Sequence, residues 1–336
     1  MRASHIPFLV CPECRSPLNL GPIELQRDDQ IVEGTLCCTG NGCEAEFPIS
    51  NGIPRFVPVE NYASGFGLQW IKHARTQYDS TSGANVSETR FFEETGWPRD
   101  LNGEIIIEAG SGSGRFTEQA ASTGAMVLSL DYSFAVEANF SSNGARENVL
   151  IVQGDIYRMP FLHASADRIF CFGVLQHTPD PEKAFLELPK YVKAGGSVVA
   201  DNYIKPTGIR ALLATKYWLR PVTKHIPPPI LYRLCNLYVR AMWPLSRLIH
   251  RLPKGKYINW RLLLSDHRGE FDLSEEMMCE WAVLDMMDKL GPAYDFPQHP
   301  EVVRSWFEKA ELKEIDVRPG YNGIQGRGVR SFAPGR

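Results

Sequence analysis

Ile105-Ile106-Ile107-Glu108-Ala109-Gly110-Ser111-Gly112-Ser113-Gly114-Arg115-Phe116 decides how this chain folds. An apolar run ends in a carboxylate, three glycines follow at alternate positions, and a helix-like segment continues over 115–123. The pattern predicts a buried strand, a tight turn and a helix start. The glycines let the backbone approach a ligand closely, and the helix beyond offers free N–H groups. In an α/β sheet, such a turn holds a nucleotide-like ligand at the carboxyl end of the strand.

Moving outward, strands alternate with helices, which predicts a largely parallel sheet. Strands are expected over 105–108, 126–130, 149–152, 168–172 and 197–201, with helices over 115–123, 134–141 and 182–192 and a turn at Gly195-Gly196. The glycine spacing is not the G-x-G-x-x-G of a dinucleotide fold. Other strand ends carry polar groups suited to a nucleoside. Asp131 ends the second strand, where a carboxylate can accept both ribose hydroxyls. Asp155 follows the third, in reach of an adenine amino group. Gly173-Val174-Leu175-Gln176-His177-Thr178-Pro179-Asp180-Pro181 follows the fourth. These ends converge on one crevice.

In this order, E-x-G-x-G-x-G, the acidic second-strand end, G-D and V-L-x-H-x-P-D-P, residues 104–201 resemble a class I S-adenosylmethionine-dependent methyltransferase. The resemblance implies a Rossmann-like α/β fold: a seven-stranded, mostly parallel sheet with helices on both faces and an antiparallel last strand. Segments 313–318 and 323–332 would supply the last two strands. It further implies S-adenosylmethionine as cofactor. Gly110, Gly112 and Gly114 would line its methionine and ribose side, and Glu108 would order the loop or meet the methionine amine. Asp131, with Tyr132 beside it, would bind ribose, Asp155 and Ile156 adenine, and Gln176 the same rim.

Methyl transfer from a sulfonium is an in-line displacement, so the protein mainly supplies proximity and alignment. A base is needed only for a hydroxyl or a protonated amine. His177 is the nearest candidate by its ordinary pKa, against a loop-shaping role. Tyr294, with Asp295 and His299, forms a second polar cluster before a helix at 301–310, and Tyr294 is the other candidate catalytic group. Asn322 and Arg327, within the glycine-rich stretch 320–328, are candidates to contact an anionic substrate, against simple turn chemistry for the glycines. Trp70, Gln77 and Tyr78 are candidates for a lid over the site, against simple packing.

At the N-terminus, Cys11 and Cys14 make one knuckle, and Cys37, Cys38 and Cys43 a second. Two cysteine pairs on short turns suit tetrahedral thiolate coordination of Zn2+. The best ligand set is Cys11, Cys14, Cys38 and Cys43, with Cys37 competing for the place of Cys38. The segment resembles the small zinc-ribbon domain in front of some bacterial methyltransferases, through its CPxC, second cysteine cluster and GIPRF. Four thiolates leave the metal no open position, so a structural role is expected.

Charge is uneven. Segment 205–265 holds twelve Lys and Arg and no Asp or Glu, leaving 24 basic and 39 acidic residues elsewhere. Within it, Leu231, Leu234, Leu237, Tyr238, Ala241, Leu245, Leu248, Ile249 and Leu252 recur at helical spacing, with Arg233, Arg240 and Arg247 on another face and Pro244 set to kink or divide the helix. Three readings compete: a cap packed on the core, an anionic membrane surface, and RNA, against which the lack of dense basic runs argues.

The expected division is a zinc-ribbon-like domain at 1–58, a helical linker or lid at 59–103, the first part of the methyltransferase core at 104–204, a basic helical cap at 205–292 and the rest of the core at 293–336. No apolar run reaches the ~20 residues of a membrane span, and no secretory signal is evident, so a cytoplasmic place, peripheral at the membrane through the basic insertion, is expected. The leading function is methylation of an O or N acceptor on a small or carrier-linked substrate, such as a saccharide or secondary metabolite. Its rivals are RNA methylation and a non-catalytic protein that binds S-adenosylmethionine as a scaffold.

Overall fold

Alternate residues of the central strands point to opposite faces, and each face found its own helices. Strand β5, Ile105–Ala109, turns Ile106 toward Phe91, Phe116 and Ala120, and Ile107 toward Phe185 and Trp306. In this computed structural model, which describes residues 1–58 and 61–332, two sheets form. The first two residues of the expected 59–103 segment and the last four of 293–336 lie outside the described residues.

The first sheet is antiparallel: β1 Leu18–Arg27, β2 Gln30–Cys38, β3 Glu46–Ser50 and β4 Ile53–Pro54, in that order. The second has seven strands. After β5 come β6 Met126–Asp131, β7 Val149–Gln153, β8 Ala166–Cys171, β9 Val192–Asn202, β10 Lys313–Gly320 and β11 Gly323–Val329, arranged β10-β11-β9-β8-β5-β6-β7. The β5–β9 strands pair in parallel, and β11 runs antiparallel to both of its neighbours. The fold is therefore Rossmann-like, with the last strand reversed. Chain order departs in opposite directions from β5, to β6 on one side and β8 on the other, so a crevice opens above their carboxyl ends.

The small sheet shares its core with the large one. Leu9, Leu36 and Ile49 cluster with Met159 and Phe161. Val10 N donates to the Pro160 carbonyl at 2.9 Å, and Phe56 N to that of Gln153 at 2.8 Å.

Three local expectations needed correction. The helix expected over 182–192 runs only Pro181–Glu187, followed by a 3-10 turn, Leu188–Tyr191, because Pro189 has no N–H to continue the α ladder. Gly195-Gly196 is not a turn. It lies inside β9, where Gly195 has φ +80° beside an irregularity in the β8 pairing. Of the kink or division expected at Pro244, the division does not occur, since the helix runs unbroken over Pro228–His250. Pro244 sits on the exposed side, where the carbonyl it leaves unpaired can reach water.

The insertion folds as a helical cap, and the packed face of its long helix is not the leucine row. Leu231, Cys235, Val239 and Trp243 are buried against Met278, Trp281, Ala282 and Met286 of the helix Glu275–Leu290. Leu234, Leu237, Leu245 and Leu248 face outward. Lys216 ties the cap to the core through Asp295 at 2.9 Å, and Arg220 Nη2 donates to the Pro292 carbonyl at 2.9 Å.

Candidate functional site

A cavity of about 380 Å³ opens over the carboxyl ends of β5, β6 and β8, between core and cap. The glycine turn forms its floor. Gly110 and Gly114 have φ of +88° and +92°, open to glycine but costly for other residues. A Cβ on Gly110 would lie 2.2 Å from Val174 Cγ2, so only glycine lets this turn close against the loop after β8. Gly112 N donates to Asp131 Oδ2 at 2.8 Å. Asp131 Oδ1 takes the N–H and hydroxyl of Ser133, at 2.8 and 2.7 Å. Burial pushes the Asp131 carboxyl above its ordinary range, and these three donors oppose the rise.

Glu108 lies beneath the turn rather than on the cavity lining. It is 1% exposed and accepts from Thr117 Oγ1 and, at 2.9 Å, Ser129 Oγ. Asn139 Nδ2 donates to both hydroxyls, and Asn143 Nδ2 to the Gly114 carbonyl at 3.0 Å. Burial raises the Glu108 pKa to about 7. Asp155 is also off the lining, where its Oδ1 caps the short turn Ile156–Arg158 by accepting from Tyr157 N at 2.9 Å. Ile156 and Tyr132 do line the cavity, with Tyr62 stacked on Tyr132 at 4.8 Å.

The loop after β8 separates two neighbours. Gln176 is fully buried away from the cavity, with neither amide atom paired, while its carbonyl accepts from Phe296 N at 2.8 Å. His177 lines the cavity between Phe66 and Tyr203, and its Nδ1 lies 3.0 Å from the Tyr294 carbonyl. A carbonyl only accepts, so Nδ1 carries the proton and Nε2, in the neutral ring, is left as a bare acceptor. That Nε2 is buried without a partner. Tyr294 is off the lining. Its ring packs on Tyr62 and Phe296, and its carbonyl rather than its phenol reaches the site. Asp295 is taken by Lys216 and Arg220.

Of the residues singled out near the site, Trp70, Gln77 and Asn322 line it. Tyr78 is buried and donates to the Ser113 carbonyl at 2.6 Å. Arg327 turns away, donating to the carbonyls of Glu93 and Glu94 that end the helix Val86–Thr95.

The cap supplies groups that no motif marked. His267 bridges Asp285 at 3.1 Å and Glu270 at 3.0 Å, and Tyr203 donates to Asp288. Burial lowers the His267 pKa, but the two carboxylates outweigh it and the net shift is upward. Arg115 also lines the cavity. Among the described residues it has no carboxylate in ion-pair reach, and burial lowers its pKa to about 9. Arg115 directly follows Gly114 in the glycine stretch; the others belong to no spaced pattern, and only the fold collects them.

Residues 107–200 match the family described as "Methyltransferase domain". This segment is a class I methyltransferase domain. Residues 3–52 match a second family, "Trm112p-like protein". The chain is 30% identical over 222 residues to a chloroplastic methyltransferase of Arabidopsis thaliana, itself uncharacterised, covering 59% of this chain and 62% of that one. It is 30% identical over 105 residues to the demethylmenaquinone methyltransferase of Thermobifida fusca, covering 30% and 44%. It thus spans less than two thirds of either relative. The solved phosphoethanolamine N-methyltransferase 2 of Haemonchus contortus, in complex with S-adenosyl-L-methionine, aligns at TM-score 0.46 and 14% identity, over 85% of this chain and 62% of that one.

The N-terminal unit is zinc-ribbon-like. The Sγ atoms of Cys11, Cys14, Cys38 and Cys43 lie within 4.8 Å of one another, while Cys37 turns toward Glu46. Four sulfurs about 2.3 Å from one ion would stand about 3.8 Å apart, and Cys11 and Cys43 are 3.9 Å apart, so the group is compatible with zinc. None of the eight cysteines forms a disulfide.

Proposed function

We propose that this protein is an S-adenosylmethionine-dependent methyltransferase that methylates an O or N atom of a small or carrier-linked acceptor held between core and cap. The carrying observation is Asp131, fixed at the crevice by the Gly112 N–H with its carboxylate on the cavity. The lining fits the donor by chemistry: a carboxylate for a diol, Tyr62, Tyr132 and Ile156 for a purine, and Arg115 for a carboxylate. Ser111 Oγ, buried at the cavity without a partner, is a further unmet polar atom. The donor supplies a methyl on an already activated sulfonium. The chain's own residues orient the partners and exclude water.

His177 Nε2 would take the proton of a hydroxyl acceptor, with the Tyr294 carbonyl fixing its tautomer. Tyr203, His267, Asp285 and Asp288 would form the acceptor wall. The segments 1–58, 59–103, 104–204, 205–292 and 293–336 then serve as zinc-bound ribbon, lid, donor half, acceptor cap and closing half.

Calorimetry with S-adenosylmethionine tests the site. Asp131→Ala removes charge-assisted bonds and should weaken binding about a hundredfold or more; unchanged affinity overturns the assignment. A labelled-methyl screen over hydroxylated metabolites, lipid-linked saccharides and RNA then reads the acceptor. Binding without turnover on any arm supports the scaffold alternative instead.

A further inference from the structure

The long cap helix Pro228–His250 carries a second apolar row that nothing among the described residues covers. Ile230, Leu234, Leu237, Leu245 and Leu248, with Leu252 just beyond, are 45–69% exposed. At about 100° per residue they share one arc of about 80°, running about 33 Å along the axis. Arg233, Arg240, Arg247 and Arg251 fall in a second narrow arc directly beside it. The rest of segment 205–265 adds eight more cations and no carboxylate. The neighbouring helices Lys216–Thr223 and Gly255–Arg261 expose Trp218 at 64% and Tyr257 at 68%. Of the 25 large apolar residues exposed among the described residues, fifteen lie between 209 and 260. A row of this kind marks an interaction surface.

Charge decides what covers it. A second copy in two-fold contact would set this arginine row against its own twin, offset among the described residues at Arg247 alone, whose Nε lies 3.7 Å from Glu275. RNA would take the cations, but it is gripped by stacking and polar contacts, which an aliphatic row does not offer. An anionic bilayer meets both rows together: leucines enter the acyl boundary, arginines sit among the phosphates, and Trp and Tyr lie at the interface. No described helix is long and apolar enough to cross a membrane, so the contact lies on the surface.

We propose that the cap docks the protein on an anionic lipid bilayer through the outward leucine–arginine face of the helix Pro228–His250. This stands independently of the methyltransferase reading.

The test is co-sedimentation of the full chain with vesicles of phosphatidylcholine alone or with about one third phosphatidylglycerol. Binding should need the anionic lipid and weaken with salt. The double variant Leu237→Glu, Leu248→Glu should lose at least about a hundredfold in partitioning. Arg233→Gln and Arg240→Gln should each lose about fivefold at low salt. All four side chains are exposed, so an unchanged melting temperature certifies folding. The proposal fails if the parent chain ignores anionic vesicles or the double variant binds as well as the parent. It also fails if sedimentation equilibrium shows a dimer that Leu237→Glu dissociates while vesicle binding stays intact, or if only RNA competes for this face.

Discussion

Replacing Glu108 by Gln should make the protein's stability less sensitive to pH. Glu108 is 1% exposed, its Oε2 takes two hydroxyl donors, and its Oε1 has no partner. Burial, opposed by Thr117 and Ser129, raises its pKa from 4.5 to about 7. Below pH 4.5 both folded and unfolded chains hold the proton, and the group does not disfavour folding. Between 4.5 and 7 the unfolded chain releases the proton while the folded chain keeps it. Stability therefore falls as pH rises, by up to about 1.4 kcal/mol per pH unit. Across the window the loss reaches about 3 kcal/mol, and above pH 7 the slope disappears.

Glutamine cannot ionise. Its oxygen can keep both hydroxyl donors, and its amide fills the place of the unpaired oxygen. The stability difference between Glu108→Gln and the parent should therefore move by about 3 kcal/mol in the variant's favour between pH 4.5 and pH 8. At roughly 2 °C per kcal/mol for a chain of this size, that is about 6 °C in melting temperature. Scanning calorimetry of both proteins over that range, without donor, measures it, and parallel curves would refute the reasoning. The same variant separates two roles. If Glu108 only orders the turn, calorimetry with S-adenosylmethionine should find affinity within a few-fold of the parent; a large loss means that the carboxylate itself meets the methionine amine.

Gly110→Ala places a Cβ against Val174 in a positive-φ turn, and should cost about 1–3 kcal/mol in denaturant unfolding and abolish donor binding. For a hydroxyl acceptor, His177→Ala should lower kcat about 10²–10⁴-fold, whereas Tyr294→Phe should leave it nearly unchanged because only the carbonyl reaches the histidine. Cys38→Ser should release the metal in mass-spectrometric analysis and lower the melting temperature, while Cys37→Ser should retain one zinc per chain.

The glycine turn, Asp131 and the alternation of strands with helices were legible because they are local. An apolar run of fixed period ends in residues that only a turn accepts, and chain order then sets the sheet. The same reasoning blurred where one residue separates two environments. Gln176 and His177 are adjacent on a 3-10 turn, where successive side chains diverge by about 120°, so one lines the cavity and the other is buried behind it. Asp155 has the residue type of an adenine ligand, yet capping the next turn holds it off the lining.

By itself the sequence determined the glycine turn and Asp131, since each stands at the end of a strand that its own neighbours specify. Only tertiary structure decided the cap side of the cavity, because Tyr203, His267, Asp285 and Asp288 are separated by up to 85 residues and meet only when the cap folds back over the crevice. Packing also decided which of two apolar rows on the helix Pro228–His250 was buried. Both rows have helical period, and burial went to the one carrying Cys235, Val239 and Trp243, whose shape met the methionine-rich helix Glu275–Leu290, leaving the leucines and arginines outward.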